Sequence, residues 1–220
     1  MKPQATTMPA NPHEGLPTTG EVILQAAIEL FAQRGYHATS MREIAAAVPI
    51  RAAGIYHWYE SKDAILLRLE TDFLDELTDV VVSAIEHQTS PASRLAAAVR
   101  EHVLFHGLCP RAAFVTDSEL RALSGEDRNS IQAKRDTYQE MFVEIIRDGV
   151  KSGVFTTSDV RIASYAILLE CTGVAIWFNP SGSRTLEEVA KIHMELVLGS
   201  LYVRPSVVAR AIREANSYAA

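Results

Sequence analysis

Apolar positions along this chain recur almost everywhere at helical spacing. Val22, Ile23, Ala26, Ala27, Leu30 and Phe31 mark a first helix over roughly 20–34, stopped by Gly35. Ser40 opens a second, and Glu43 three residues on completes a capping box; Pro49 ends it. A short third helix covers roughly 51–57. Ser61 caps a long fourth, roughly 62–87, with Ile65, Leu66, Leu69, Phe73, Leu77, Val80 and Val81 on one side. Ser90–Pro91 starts a fifth, running to about Gly107, and Pro110 a sixth, to about Leu123. A seventh spans about 126–152 and stops at Gly153. The eighth, about 158–178, stops at Asn179–Pro180–Ser181–Gly182. Thr185 and Glu188 cap a ninth, to about Val203, and a short last helix follows Pro205 over 206–217. No alternating strand pattern of useful length and no internal repeat is present, so the pattern predicts an all-α fold.

Composition narrows the class. The chain has 220 residues, 48% of them hydrophobic, and a mean hydropathy near zero, which suits a soluble, packed protein with no membrane partner. No apolar run is expected to approach bilayer length. The first nineteen residues carry Pro3, Pro9, Pro12 and Pro17 and read as a disordered tail, not a secretory signal. Cys109 and Cys171 make no disulfide framework and suit a reducing cytoplasm. The net charge of −6 belongs to residues 63–220; residues 1–62 carry five basic and five acidic side chains. A neutral head lacks the basic signature usual in a DNA binder, but can bind phosphate if its charges are sorted by face.

The three short helices near the N-terminus suggest a helix-turn-helix, in which the second of the paired helices lies in the major groove and meets base edges. Small Ala52 and Ala53 would let the reading helix approach closely, and Arg51 could donate to guanine or lie solvated on the surface. Tyr56, His57, Thr39, Ser40, Arg42 and Lys62 could reach phosphate oxygens. Tyr36 and Tyr59 are expected to pack the head's core.

The residues Ala26, Ala27, Leu30, Phe31, Gly35, Tyr36, Thr39, Ser40, Ile44 and Ala45, then Ile55, Tyr56, His57, Tyr59 and Lys62, follow in order a pattern of about forty residues. This stretch resembles the N-terminal domain of the TetR family of bacterial transcriptional regulators. Two departures stand out: Pro49 replaces the glycine usual in the turn, and Thr19, Gly20 and Glu21 replace the basic arm before the first helix. Beyond the tail over 1–19, the resemblance implies a DNA-binding domain over 20–62 and a ligand-binding, dimerising domain over 63–220. It further implies a homodimer through the eighth and ninth helices. The eighth fits this independently: Tyr165, Ala166, Ile167, Leu168, Leu169, Val174, Ala175, Ile176, Trp177 and Phe178 make it apolar almost all round, and such a helix must be buried on every side. Ile192, Leu196, Val197, Leu201 and Tyr202 add to that surface from the ninth.

Candidate effector-binding residues are Val103, Phe105, Phe114, Tyr138, Met141, Phe142, Ile145, Cys171 and Val174. Each alone reads as ordinary core; together they suit a lipophilic effector. The segment Thr172–Gly182 resembles a subgroup tied to lipid and sterol breakdown, whose effectors are acyl-CoA thioesters. His102, His106 and Cys109 have metal-like spacing but lack a fourth ligand, so no metal and no cofactor is expected. Glycine-rich phosphate loops, GxSxG elbows and paired zinc signatures are absent, which argues against an enzyme. The reading is a ligand-responsive repressor in the cytoplasm. A non-DNA interaction module and a helical enzyme are the alternatives.

Overall fold

The computed structural model describes residues 18–49 and 54–217. The tail up to residue 17, the end of the turn at Ile50, and the predicted base-reading residues Arg51, Ala52 and Ala53 lie outside them. Eleven α-helices are described: α1 (Thr19–Arg34), α2 (Met41–Ala46), α3 (Ile55–Trp58), α4 (Lys62–Glu86), α5 (Pro91–Leu108), α6 (Pro110–Glu119), α7 (Gly125–Lys151), α8 (Val160–Thr172), α9 (Val174–Trp177), α10 (Leu186–Ser200) and α11 (Pro205–Ser217). A 3₁₀ turn, Leu120–Ala122, follows α6. No strand occurs among the described residues, as the pattern predicts.

The caps form as the sequence requires. The Ser40 hydroxyl accepts from the Glu43 N–H while the Glu43 carboxylate accepts from the Ser40 N–H at 2.9 Å. Thr185 and Glu188 do the same for α10, and Ser61 accepts from the Ala64 N–H at 3.0 Å. A third capping box, Thr18 with Glu21, opens α1. Gly35 takes φ +86° beyond α1, a backbone that a side chain would strain. Tyr202 is the described non-glycine at positive φ, +57°. It closes α10 as the left-handed residue of a Schellman motif, with the Val203 N–H bonded to the Leu198 carbonyl at 3.2 Å.

Three element expectations change. Helix 2 stops at Ala46, three residues before Pro49, because Ala47 already closes the turn onto Glu43 and Ile44. The single eighth helix becomes two, α8 and α9, divided at Gly173, whose own N–H bonds the Leu169 carbonyl. The stretch Val160–Trp177 also has a mean hydropathy of 1.4, apolar and long enough by length and composition alone to cross a membrane, contrary to the expectation of no such run. The structure breaks that run at Gly173. It also buries one side of it only: Ser164, Ile167, Cys171 and Val174 point inward.

Packing divides the chain into two compact units. The first comprises the described residues up to Leu74 together with Leu108–Ala133; the second comprises Asp75–Gly107 and the described residues from Lys134 on. This division by packing falls inside α4, whereas the domain boundary expected from the sequence lies at residue 62, and it groups α6 with the head. In the first unit α1 packs against α2, α3 and α6, and Arg111 of α6 is ion-paired to Glu29 of α1. Its core is Ile23, Ala27, Ile28, Phe31, Ile44, Ile55, Ile65 and Leu66. In the second unit Leu95, Val99, Val103, Phe142, Ile145, Ile146, Val197 and Leu198 are buried. Leu186 fills the space against Gly107, where a Cβ would collide with it.

Candidate functional site

The head is held shut by the first two residues of α4. The turn after α1 leaves carbonyl groups that no helix satisfies. The Lys62 ammonium supplies the donors, at 2.7 Å from the Tyr36 carbonyl and 2.8 Å from that of Thr39. It also lies 4.2 Å from the centre of the Tyr36 ring. The Tyr36 hydroxyl donates to Asp63, and burial together with that carboxylate pushes the phenol's pKa up. Thr39 is buried, and its hydroxyl donates to the Gly35 carbonyl at 3.0 Å. Thr39 and Lys62, both expected to meet phosphate, thus donate to carbonyls of the head itself.

Other expected DNA contacts face outward. In α3, Ile55 is fully buried while Tyr56 is 59% exposed, and His57 is exposed beside it. Trp58 covers Gly20, where a Cβ would sit 2.7 Å from the indole, and the Tyr59 hydroxyl donates to the Gly20 carbonyl at 3.2 Å. Arg42 on α2 and Ser40 at its N-cap are exposed. The Ser40 hydroxyl donates to Glu43 at 2.7 Å, and this bond and its backbone counterpart hold the Glu43 carboxyl below its ordinary pKa. The core role expected of Tyr36 fits its burial; Tyr59 is half-buried.

Eight of the nine effector candidates fall in the second unit: Val103, Phe105, Tyr138, Phe142, Ile145, Cys171 and Val174 are buried and Met141 is half-buried. Phe114 belongs to the first unit and is 47% exposed. A groove of about 310 Å³ lies between the α9–α10 loop and α10, lined by Trp177, Asn179, Arg184, Val189 and His193 among others. None of the nine candidates lines it.

Sequence reasoning missed the polar centre of this unit. His102 of α5 is buried, with Nδ1 at 2.8 Å from the Tyr138 hydroxyl and Nε2 at 2.9 Å from the Thr172 hydroxyl. His106 stacks on it at 4.1 Å, its Nδ1 bonded to the His102 carbonyl. Burial, and then the neighbouring His106, hold His102 well below its ordinary pKa; burial lowers His106 to about 4. Both imidazoles are therefore neutral near pH 7. The ring nitrogens of His102 are spent on hydroxyls, and Cys109 belongs to the other unit. No cluster of three or more His, Cys, Asp or Glu able to hold a metal ion occurs among the described residues. The i, i+4 histidines raised this site as a metal candidate, but its hydroxyl partners lie too far along the chain for spacing to reveal. Burial also pushes the Cys171 thiol up, away from reactivity.

Family models match both the N-terminal and the C-terminal part of the chain. The family model of bacterial regulatory proteins, tetR family, matches residues 23–69. The tetracyclin repressor-like C-terminal domain matches residues 88–201, just over half of the chain. The HTH-type transcriptional repressor KstR2 of Rhodococcus jostii is 28% identical over 203 residues, covering 89% of this chain and 97% of that protein. The TetR family transcriptional regulator PfmR of Thermus thermophilus is 32% identical, with a TM-score of 0.74, over 80% of this chain and 97% of that one. The structure of AibR in complex with isovaleryl coenzyme A and operator DNA also aligns with a TM-score of 0.74, at 28% identity, over 83% of this chain and 97% of that one. The chain belongs to the tetR family of bacterial regulatory proteins.

Proposed function

We propose that this protein is a transcriptional repressor that holds a palindromic operator as a homodimer and leaves it when an apolar effector, an acyl-CoA thioester, binds the second unit. The observation that carries the reading is the head. Its inward groups are consumed in locking the fold, while Tyr56, His57, Arg42 and Ser40 remain exposed at its surface. These four, with Arg51, Ala52 and Ala53, form the proposed DNA contact set. Two relatives support the regulatory half: KstR2 is named a repressor, and AibR was crystallised with both a CoA ester and operator DNA. The largely apolar character of the eight candidates in the second unit, seven of them buried, supports a lipophilic effector.

Release follows from a population shift. An effector moves the dimer between two head spacings only as far as it binds one better than the other. The head spacing that fits successive major grooves holds the operator; the effector favours the other. Such a regulator works on cytoplasmic DNA, and its two buried cysteines, outside any disulfide, suit that compartment.

Fluorescence anisotropy against labelled DNA from upstream of the gene, across a salt series, tests the reading. The expected result is saturable, sequence-selective binding that weakens steeply with salt and is reversed by an acyl-CoA ester. If selection from random DNA also yields no preferred sequence, the head does not read DNA.

A further inference from the structure

The second unit buries more hydrogen-bonding capacity than its own residues use. The Gln139 side-chain nitrogen and the Ser164 hydroxyl are buried with no hydrogen-bond partner among the described residues. Gln139 is 8% exposed and Ser164 not at all. Burying such groups without a partner costs free energy, and a native fold that tolerates two of them needs a reason. They lie on α7 and α8, the helices whose next-door Tyr138 and distal Thr172 hold His102. Around them on the same helices stand apolar Phe142, Ile145, Ile167 and Cys171, all buried.

The chemistry of the unsatisfied atoms selects the partner. An amide nitrogen offers only N–H donors, so it calls for an oxygen acceptor; a serine hydroxyl can donate to the same kind of atom. In an apolar interior a neutral oxygen is far cheaper to desolvate than a carboxylate.

We propose that Gln139 and Ser164 are the polar anchor of a buried effector site in the second unit, and that they take the neutral carbonyl oxygen of an otherwise apolar acyl thioester. This rests on the effector-responsive reading above and names the atom that the site recognises. Gln139 donates one N–H and Ser164 its O–H to that oxygen, while the acyl chain packs among the apolar side chains of α7 and α8. The hydrogen bonds of His102 to Tyr138 and Thr172 fix the positions of the two helices on either side. Free fatty acids bearing a carboxylate are rejected by the desolvation they would require.

Two measurements on the full-length protein test this. The first needs no ligand. Ser164→Ala and Gln139→Leu each remove an orphaned polar atom, so the Tm of the empty protein is expected to rise. A fall in both would show that these atoms make structural bonds, and would overturn the proposal. The second is calorimetric titration with isovaleryl-, octanoyl- and dodecanoyl-CoA, with octanoate, and with S-octyl-CoA, a thioether that has a methylene in place of the carbonyl. The wild type is expected to bind an acyl-CoA more tightly than octanoate or the thioether. Gln139→Leu is expected to weaken the acyl-CoA by about tenfold, the worth of one hydrogen bond, and to leave the thioether unchanged. Equal binding of octanoyl-CoA and S-octyl-CoA, or no effect of Gln139→Leu, overturns the carbonyl anchor while leaving an acyl-CoA-released repressor intact. No binding of any acyl-CoA by a protein that still holds its operator overturns both.

Discussion

The Lys62 ammonium, 2.7 and 2.8 Å from two carbonyl oxygens and stacked over the Tyr36 ring, ties the start of α4 to the turn between α1 and α2. Lys62→Met keeps the length of the side chain and removes the donors, leaving the carbonyls of Tyr36 and Thr39 poorly satisfied. Charged hydrogen bonds of this kind are worth about 1.5–3 kcal/mol, so the Tm of the variant is expected to fall. DNA affinity should fall with it, but the dependence of affinity on salt should not: a lost phosphate ligand would reduce the salt slope by about 1, whereas a lost internal clamp leaves it unchanged. A slope that drops would return Lys62 to the DNA surface. The buried histidines make a second prediction at this scale. His106 takes its proton only near pH 4 in the fold, but near 6.5 in the unfolded chain. Between these values the unfolded chain binds more protons, so stability is complete above about pH 6.5 and is lost as pH falls towards 4. His106 alone then accounts for about 2 kcal/mol lost at about pH 5, and His102, lowered by the same burial, adds in the same direction. Urea midpoints measured from about pH 7 down to about pH 5 should fall, and should fall less in His106→Asn; a flat profile in the wild type would mean that the imidazoles are not buried neutral.

Helices in this chain begin where their caps say and end where the backbone must leave the helical region, but what each end packs against decides the energetics. Gly149 shows the difference. Alanine in place of glycine inside a helix normally stabilises by about 1 kcal/mol. Here the N–H groups of Val154 and Phe155 both return to the Gly149 carbonyl, at 2.9 and 3.0 Å, and lay the buried Phe155 ring on the glycine. A Cβ at this position would sit far inside contact distance of Cδ2 of that ring. Overpacking costs about 1–3 kcal/mol and outweighs the gain in propensity, so Gly149→Ala is expected to lower Tm; a rise would show that the Phe155 turn yields freely. The same distinction separates what was legible in the sequence from what was not. The capping boxes at Ser40 and Thr185 and the stops at Gly35 and Gly153 are local, so a few residues announce them. The division of α8 from α9 is not announced, because the apolar spacing continues through Gly173 and a single glycine inside a helix is only weakly unfavourable. Nor is the membership of α6 in the head, which depends on its packing against α1. The His102 relay joins residues 36 and 70 positions apart in sequence, beyond any helical period. Thr39 and Lys62 were recognised as important from their place in the motif, but the direction of their side chains follows from carbonyls that only the folded turn exposes.

The two units meet different needs, and the second leaves one need unmet within a single chain. On α8 and α9 the side opposite the buried residues presents Ile162, Tyr165, Leu169, Ile176 and Trp177, and α10 presents Leu196. Leu169 is 77% exposed and Ile176 81%, values that decide the matter: large aliphatic side chains grouped in this way on a helix face call for a cover. In the homodimer proposed above, a second copy would provide it with the same face, as an isologous interface requires. Arg161 and Glu170, in the same stretch, argue against lipid as the cover. Leu169→Glu combined with Ile176→Glu places two carboxylates on each copy's face, and four where two copies meet. Since neither side chain packs into the unit's own core, the helical circular dichroism should be preserved. Light scattering is expected to report a dimer for the wild type and a monomer for the purified variant. The loss should pass to DNA binding, because a dimer's second head meets its half-site at a high effective concentration and a monomer's does not. Operator affinity is therefore expected to fall by on the order of a hundredfold or more, with the contacts of each head untouched. A variant that stays dimeric with full affinity would place the interface elsewhere and leave this apolar face without its partner; a monomer that keeps full affinity would mean that one head suffices, and that the operator need not be a palindrome.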